Sequence, residues 1–187
     1  MSSTADSEAI RLLRRRDPRG FDLAYQRYAG RLLGFLCRVT GQRPFAEDLL
    51  QQVFVRLAER GPALRADSDL GAWLFTVARN AYRSQLRKTP TWVDDAVLER
   101  LANPASDVTA RLLLGDVERA LGKLRVEDRE VLLLIGVEQL ERAVVAKLLE
   151  VDDETLRKRL SRARARLLAE LEQEAPPISR DVKEARS

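Results

Sequence analysis

Outside residues 89–106, the apolar residues of this chain recur at every third or fourth position, and no convincing run of them alternates. That is the spacing of helix faces and not of strands. Asp17-Pro18 reads as an N-cap followed by proline at the first helical position. The helix it opens carries Phe21, Tyr25, Tyr28, Leu32, Phe35 and Leu36 on one side, and Gly41 ends it. Pro44 starts a second helix with Phe45, Leu49, Val53 and Leu57 inward, stopped by Gly61-Pro62. Asp67 or Ser68 is expected to cap a third, whose apolar stripe is Leu70, Trp73, Leu74, Val77 and Ala81. Residues 89–106, "TPTWVDDAVLERLANPAS", hold Asp94, Asp95 and Glu99 against Arg100 alone and read as an acidic linker in which Trp92 could anchor to a surface. Helical spacing then resumes over about 107–121, 127–136 and 141–149, and again from Asp153.

The expected fold is therefore all-α: two small helical domains, 18–88 and 107–174, joined by the linker, the second holding a helix-turn-helix. Residues 1–17 read as an N-terminal extension and 175–187 as a flexible tail. The chain has 187 residues, 45% hydrophobic and 33% charged, enough apolar material for globular domains. Its net charge of +4 mildly favours an anionic partner. Cys37 is alone, so no disulfide can form within the chain, and there is no histidine. Histidine-based metal sites and imidazole-activated nucleophiles are thereby removed. No glycine-rich phosphate loop or metal-ligand cluster is visible, so no enzyme, metal or cofactor is expected. Neither a signal peptide's apolar core nor a membrane span is present, and a cytoplasmic location is the expectation.

Two helices combine a buried stripe with a cationic surface. In "ERAVVAKLLEVDDETLRKRLSRARARL", Val145, Ala146, Leu148 and Leu149 supply the buried side of a short helix and Val151 plugs the turn. Asp152 or Asp153 can cap the next helix, where Leu156, Leu160, Ala163 and Leu167 face inward. Its outer face holds Thr155, Arg157, Lys158, Arg159 and Arg162, and no acid occurs from Thr155 to Leu168. Such a helix can enter the major groove, arginine pairing with guanine and lysine or threonine with phosphates. Glu150 occupies the turn position that favours glycine, and Asp152, Asp153 and Glu154 place three acids at the helix start. The second helix is "AWLFTVARNAYRSQLRK", residues 72–88, which also lacks acids. Thr76, Asn80, Arg83 and Arg87 share a stripe there, with Arg79 beside them and Tyr82 as a stacking surface if exposed. A basic stripe with amide and hydroxyl groups can grip the phosphates of a melted strand and capture an unstacked base. A solvated basic helix would show the same composition.

Taken with "AEDLLQQVFVRLAE" and "ALGKLRVEDREVLLL", these segments resemble, in order and separation, a bacterial RNA polymerase sigma factor of the extracytoplasmic-function group, over about Phe21 to Leu171. The resemblance implies core RNA polymerase and promoter DNA as partners, with an anti-sigma factor as a further candidate. It implies that Asp48, Gln51 and Phe54 dock on the clamp of the polymerase's largest subunit, Phe54 being equally suited to the core. It assigns Thr76, Arg79, Asn80, Arg83 and Arg87 to the downstream promoter element. Thr155, Arg157, Lys158, Arg159 and Arg162 fall to the upstream element. The acidic linker would run near the active centre. The sequence departs from the family at Arg125, where a proline is usual, at Val144-Val145, where Glu-Ile is usual, and at Glu150. Two other readings fit the residues: a sigma-like decoy that sequesters an anti-sigma factor, and a stand-alone helix-turn-helix regulator of duplex DNA.

Overall fold

The computed structural model describes residues 4–88 and 108–174, and every regular element among them is helical. The linker, with Trp92, and the C-terminal tail lie outside the described residues. The chain begins with a helix that the sequence reading left as an extension: α1, Thr4–Arg14, buries Ala9, Ile10, Leu12 and Leu13 against α2, Pro18–Thr40. The two helices meet at Gly20, where an added Cβ would lie 2.6 Å from the backbone nitrogen of Leu13. Asp6 is buried with them, accepting from the Tyr28 hydroxyl at 2.9 Å and lying 3.3 Å from the Arg27 guanidinium.

Capping follows the local chemistry closely. Asp17 accepts the backbone N–H of Arg19 at 3.0 Å and its guanidinium as well. The guanidinium first, and the N–H second, lower the Asp17 carboxyl to about 2. Gly41 closes α2 in the left-handed region, at φ 70°. Pro44 lies in the first turn of α3, Arg43–Arg60, which runs into a 3-10 turn at Gly61–Ala63. The cap of α4, Leu70–Lys88, is Asp69 rather than Asp67 or Ser68: its carboxylate accepts the Ala72 N–H at 2.8 Å. A cap must directly precede the first helical residue to reach that N–H, and Asp67 pairs instead with Arg65.

The buried stripe of α4 is also rotated from the expected one. Leu70, Leu74, Phe75 and Ala78 are fully buried, with Tyr82 nearly so, while Trp73, Val77 and Ala81 lie half-buried at the edge. Phe75 meets Phe35 edge-on at 5.5 Å, which draws that face inward. Tyr82 is therefore no stacking surface, since its hydroxyl donates to the Val39 carbonyl at 2.9 Å.

The second half comprises α5, Val108–Lys123; α6, Val126–Leu132; a π turn over Leu133–Val137; α7, Arg142–Leu149; and α8, Asp153–Glu174. Arg129 gathers the loose end of α5 by donating to the carbonyls of Leu121 and Leu124. The α7–α8 pair is the expected helix-turn-helix. Glu150 sits in the left-handed region at φ 57°, and the N–H of Val151 bonds to the Ala146 carbonyl at 3.0 Å. Asp152 caps α8 through the Thr155 N–H and hydroxyl, at 2.7 and 2.9 Å. Leu156 and Ala163 are fully buried, with Leu160 and Leu167 packed beside them. The two halves are in contact, α2 against both α5 and α6.

Candidate nucleic-acid and polymerase surfaces

Helix α4 distributes its polar residues over two environments. Asn80, Arg83 and Arg87 are exposed together on its outer side. Thr76 is half-buried and spends its hydroxyl proton on the Ala72 carbonyl, at 2.7 Å. Arg79 points the other way and is only 3% exposed. Its guanidinium donates to the Glu130 carboxylate at 3.2 Å and to the Leu148 carbonyl at 2.7 Å, both in the second half. Burial pushes the Glu130 carboxyl up, against the opposing pull of Arg79, and its second oxygen has no hydrogen-bond partner.

Beside Asn80, α3 and α4 enclose a groove of about 490 Å³. Trp73 and Val77 give it an apolar side, Gln52, Asn80 and Gln85 offer amide donors and acceptors, and Arg56 and Arg60 also line it. An aromatic face, amides and cations are the groups that hold a base and its phosphate. The sequence reading passed over Gln52, Arg56 and Arg60. Their spacing at i, i+4 and i+8 puts them on one stripe of α3, flanked by Asp48 and by Glu59 at 3.9 Å from Arg56, which was a usable signal.

The adjoining face of α3 presents the other set of predicted residues, with Asp48 one turn before Gln52. Asp48 and Gln51 are exposed, and Val55, one turn beyond Gln51, is 57% exposed. Phe54 is buried, its ring 4.7 Å from Tyr25 and 5.7 Å from Phe21, so it supports this surface from beneath.

On α8, Arg157, Lys158 and Arg162 are exposed, whereas Thr155 and Arg159 are half-buried. Thr155 is held by the cap at Asp152. The three acids at the helix start are all engaged: Asp152 caps, Asp153 pairs with Arg142 at 3.0 Å, and Glu154 pairs with Lys158 at 2.7 Å. Each thus meets a donor or cation of its own, which limits the repulsion the three would offer a phosphate backbone. Behind this face, Arg166 pairs with the buried Asp128 of α6. No helix among the described residues is long and apolar enough to cross a membrane.

Comparison with known proteins matches residues 24–90 to Sigma-70 region 2 and residues 114–167 to Sigma-70, region 4. The ECF RNA polymerase sigma factor EcfG of Rhodopseudomonas palustris is 32% identical over 74% of this chain and 77% of its own length. The ECF RNA polymerase sigma factor SigM of Mycobacterium tuberculosis is 32% identical over 81% of this chain and 76% of its own. Among solved structures, the sigma factor RpoE from Bartonella quintana, in complex with the anti-sigma factor NepR, superposes with a TM-score of 0.69. It is 29% identical and covers 83% of this chain and 98% of its own.

Proposed function

The chain belongs to the extracytoplasmic-function group of RNA polymerase sigma factors, directing core polymerase to promoter DNA for transcription initiation, and we propose how its residues divide that work. Asp48 and Gln51, with Val55 beside them and Phe54 beneath, form the polymerase-facing surface of α3. The adjoining stripe of α3, with Gln52, Arg56 and Arg60, and the outer side of α4 hold the downstream element. Arg83 and Arg87 neutralise phosphates there, and Asn80 and Gln52 bond the edge of a base drawn out against Trp73. Arg79 and Thr76 complete this set only after a rearrangement, since both are engaged within the chain. On α8, Arg157, Lys158, Arg159 and Arg162 read the upstream element, with Thr155 at the entering end.

The work is done by binding energy alone, in the cytoplasm where the polymerase is, and without a reaction of its own. Unstacking a base costs a few kcal/mol. Stacking on an aromatic returns about 1–3 kcal/mol per base. Amide contacts and released counterions offset the rest. An anti-sigma partner is the natural regulator, as the Bartonella complex has one.

The carrying observation is the groove between α3 and α4, lined by Trp73, the amides of Gln52, Asn80 and Gln85, and Arg56 and Arg60, on the helix that also exposes Arg83. The test is run-off transcription with core polymerase on a library of genomic fragments, followed by permanganate mapping of unpaired thymines on the active templates. Asn80→Ala with Arg83→Ala should keep co-purification with core polymerase and lose strand opening. Strand opening at the wild-type level by this variant would refute the assignment. A decoy for an anti-sigma factor would open no template at all, and a stand-alone regulator would bind duplex tightly without polymerase.

A further inference from the structure

Residues 11–19, "RLLRRRDPR", carry five arginines against Asp17 alone, in a chain whose net charge is only +4. They form the corner between α1 and α2. Two of the five are spent locally: Arg11 donates to Glu8 at 2.7 Å, and Arg19 pairs with Asp17 at 2.6 Å. Arg14, Arg15 and Arg16 are exposed, and among the described residues no carboxylate lies within ion-pair distance of them.

The backbone of the corner is fixed. The N–H groups of Arg16 and Asp17 bond to the carbonyls of Leu13 and Leu12 at 2.9 and 3.0 Å, which closes α1 with Arg16 in the left-handed region at φ 57°. Glycine is favoured at such a close, because a Cβ is disfavoured there. Cations in the last turn of a helix suit its dipole, which accounts for Arg11 and Arg14. The dipole does not require arginine at position 16, which glycine would fill without strain.

The place of the corner gives this charge a partner. Leu13 packs on Gly61, where an added Cβ would lie 3.2 Å from the leucine Cδ2. Gly61 directly follows Arg60, the last residue of α3, which lines the groove between α3 and α4. The run of three arginines therefore starts one residue beyond the leucine that touches the end of the groove. Arg60 is exposed and also lies outside ion-pair distance of any carboxylate among the described residues. The nearby acids are taken up, Glu59 facing Arg56 at 3.9 Å and Asp17 held by Arg19. A bilayer would find little to bury here, since Leu12 and Leu13 are turned into the core. A strand leaving the groove past Arg56 and Arg60 would meet these three cations next.

We propose that Arg14, Arg15 and Arg16 form a second phosphate-binding site, which takes the continuation of the single strand whose unstacked base lies in the groove. The corner deepens the assignment of that groove and rests on it for the identity of the strand.

The test compares the full chain with a variant combining Arg14→Gln, Arg15→Gln and Arg16→Gly. Glycine at position 16 relieves the left-handed residue, so the variant should melt no lower than the wild type. A control of equal net charge carries Arg43→Gln, Arg119→Gln and Lys123→Gln, at the far end of α3 and on α5. The probe is a fluorescein-labelled single strand of mixed sequence, about 20 nucleotides long, titrated by anisotropy from about 50 to 200 mM KCl. One strand should bind per chain. Each neutralised phosphate of a single strand contributes about −0.7 to the slope of log K against log salt, so three lost contacts should flatten the slope by about 2 relative to the control. An unchanged slope, a control that flattens it equally, or two strands bound per chain would overturn the site. Phosphatidylglycerol vesicles and poly-glutamate, titrated alongside, should not distinguish the variant from the control, and a loss confined to either would overturn the strand as the occupant. On active run-off templates the variant should keep co-purification with core polymerase and open the promoter over a narrower range of salt. Wild-type salt tolerance there would overturn a role in initiation. Wild-type strand opening by Asn80→Ala with Arg83→Ala would instead remove the groove assignment, and the salt slope would still decide the corner.

Discussion

Replacing Arg79 by methionine deletes the cation beside Glu130 while keeping an unbranched side chain in the same space. Both members of the pair are 3% exposed. The Leu148 carbonyl loses its donor at 2.7 Å, and one Glu130 oxygen lacks a partner even in the wild type. Removing one member of a buried pair costs about 3–5 kcal/mol, because the remaining charge stays desolvated. Two routes can relieve that cost: the halves can part, or Glu130 can take up a proton. Desolvation first raises the Glu130 carboxyl, nearby Glu127 adds to this, and Arg79 and Arg83 oppose it, so losing Arg79 raises it further. The sign follows from a folded-state value lying above the unfolded one. At pH above the raised value the ionised carboxylate destabilises the fold. As pH falls through that value the native state takes up the proton, and the penalty shrinks until the unfolded chain is protonated too. Urea unfolding of Arg79→Met should therefore show a loss of about 3–5 kcal/mol at neutral pH that shrinks as the solution is acidified through the raised value. Arg79→Met with Glu130→Met, which leaves no charge behind, should lie near the wild type. A loss below about 1 kcal/mol at neutral pH, with unchanged dimensions in solution, would refute the reasoning, since a buried unpaired carboxylate cannot be that inexpensive.

Three further outcomes follow from single contacts. Gly20→Ala drives a methyl into the backbone of α1, 2.6 Å from the Leu13 nitrogen, and should cost about 1–3 kcal/mol, with amide exchange in α1 rising first. Glu150→Gly removes a side chain from the left-handed turn at φ 57° and should raise stability by about 1 kcal/mol in thermal unfolding. The Asp17 cap is lowered from 3.8 to about 2, so its contribution is present above the ordinary value and is lost as pH falls through about 2. Acid unfolding of Asp17→Ala and the wild type should differ above that range and converge within it.

Local chemistry was legible wherever one turn of chain decides the outcome. The cap at Asp17, the left-handed close at Gly41, the strained close at Glu150 and the inward set Leu156, Leu160, Ala163 and Leu167 were all readable, and all stand. Even the choice between Asp152 and Asp153 is local, and Asp152 takes the cap because its carboxylate reaches the Thr155 N–H. The stripe of α4 was misread by a rotation, because its tilt is set by Phe75 against Phe35 of another helix. Helix α1 escaped notice because its four buried apolar residues are interleaved with polar ones and matter only once Gly20 lets the backbones touch. Of the residues proposed for the downstream element, periodicity identified the acid-free stripe on α4 but not the facing stripe on α3 that turns it into a groove.

What the sequence determined by itself is a chain of helices with cationic faces, because periodicity, caps and charge are properties of neighbours along the chain. What only the tertiary structure decided is where each cation is directed. Arg79 and Asn80 are adjacent in sequence, yet one is locked to Glu130, 51 residues away, and the other is open to solvent. A helix turns by roughly 100° per residue. Adjacent side chains therefore face different surroundings, and only the packing of distant segments determines what those surroundings are.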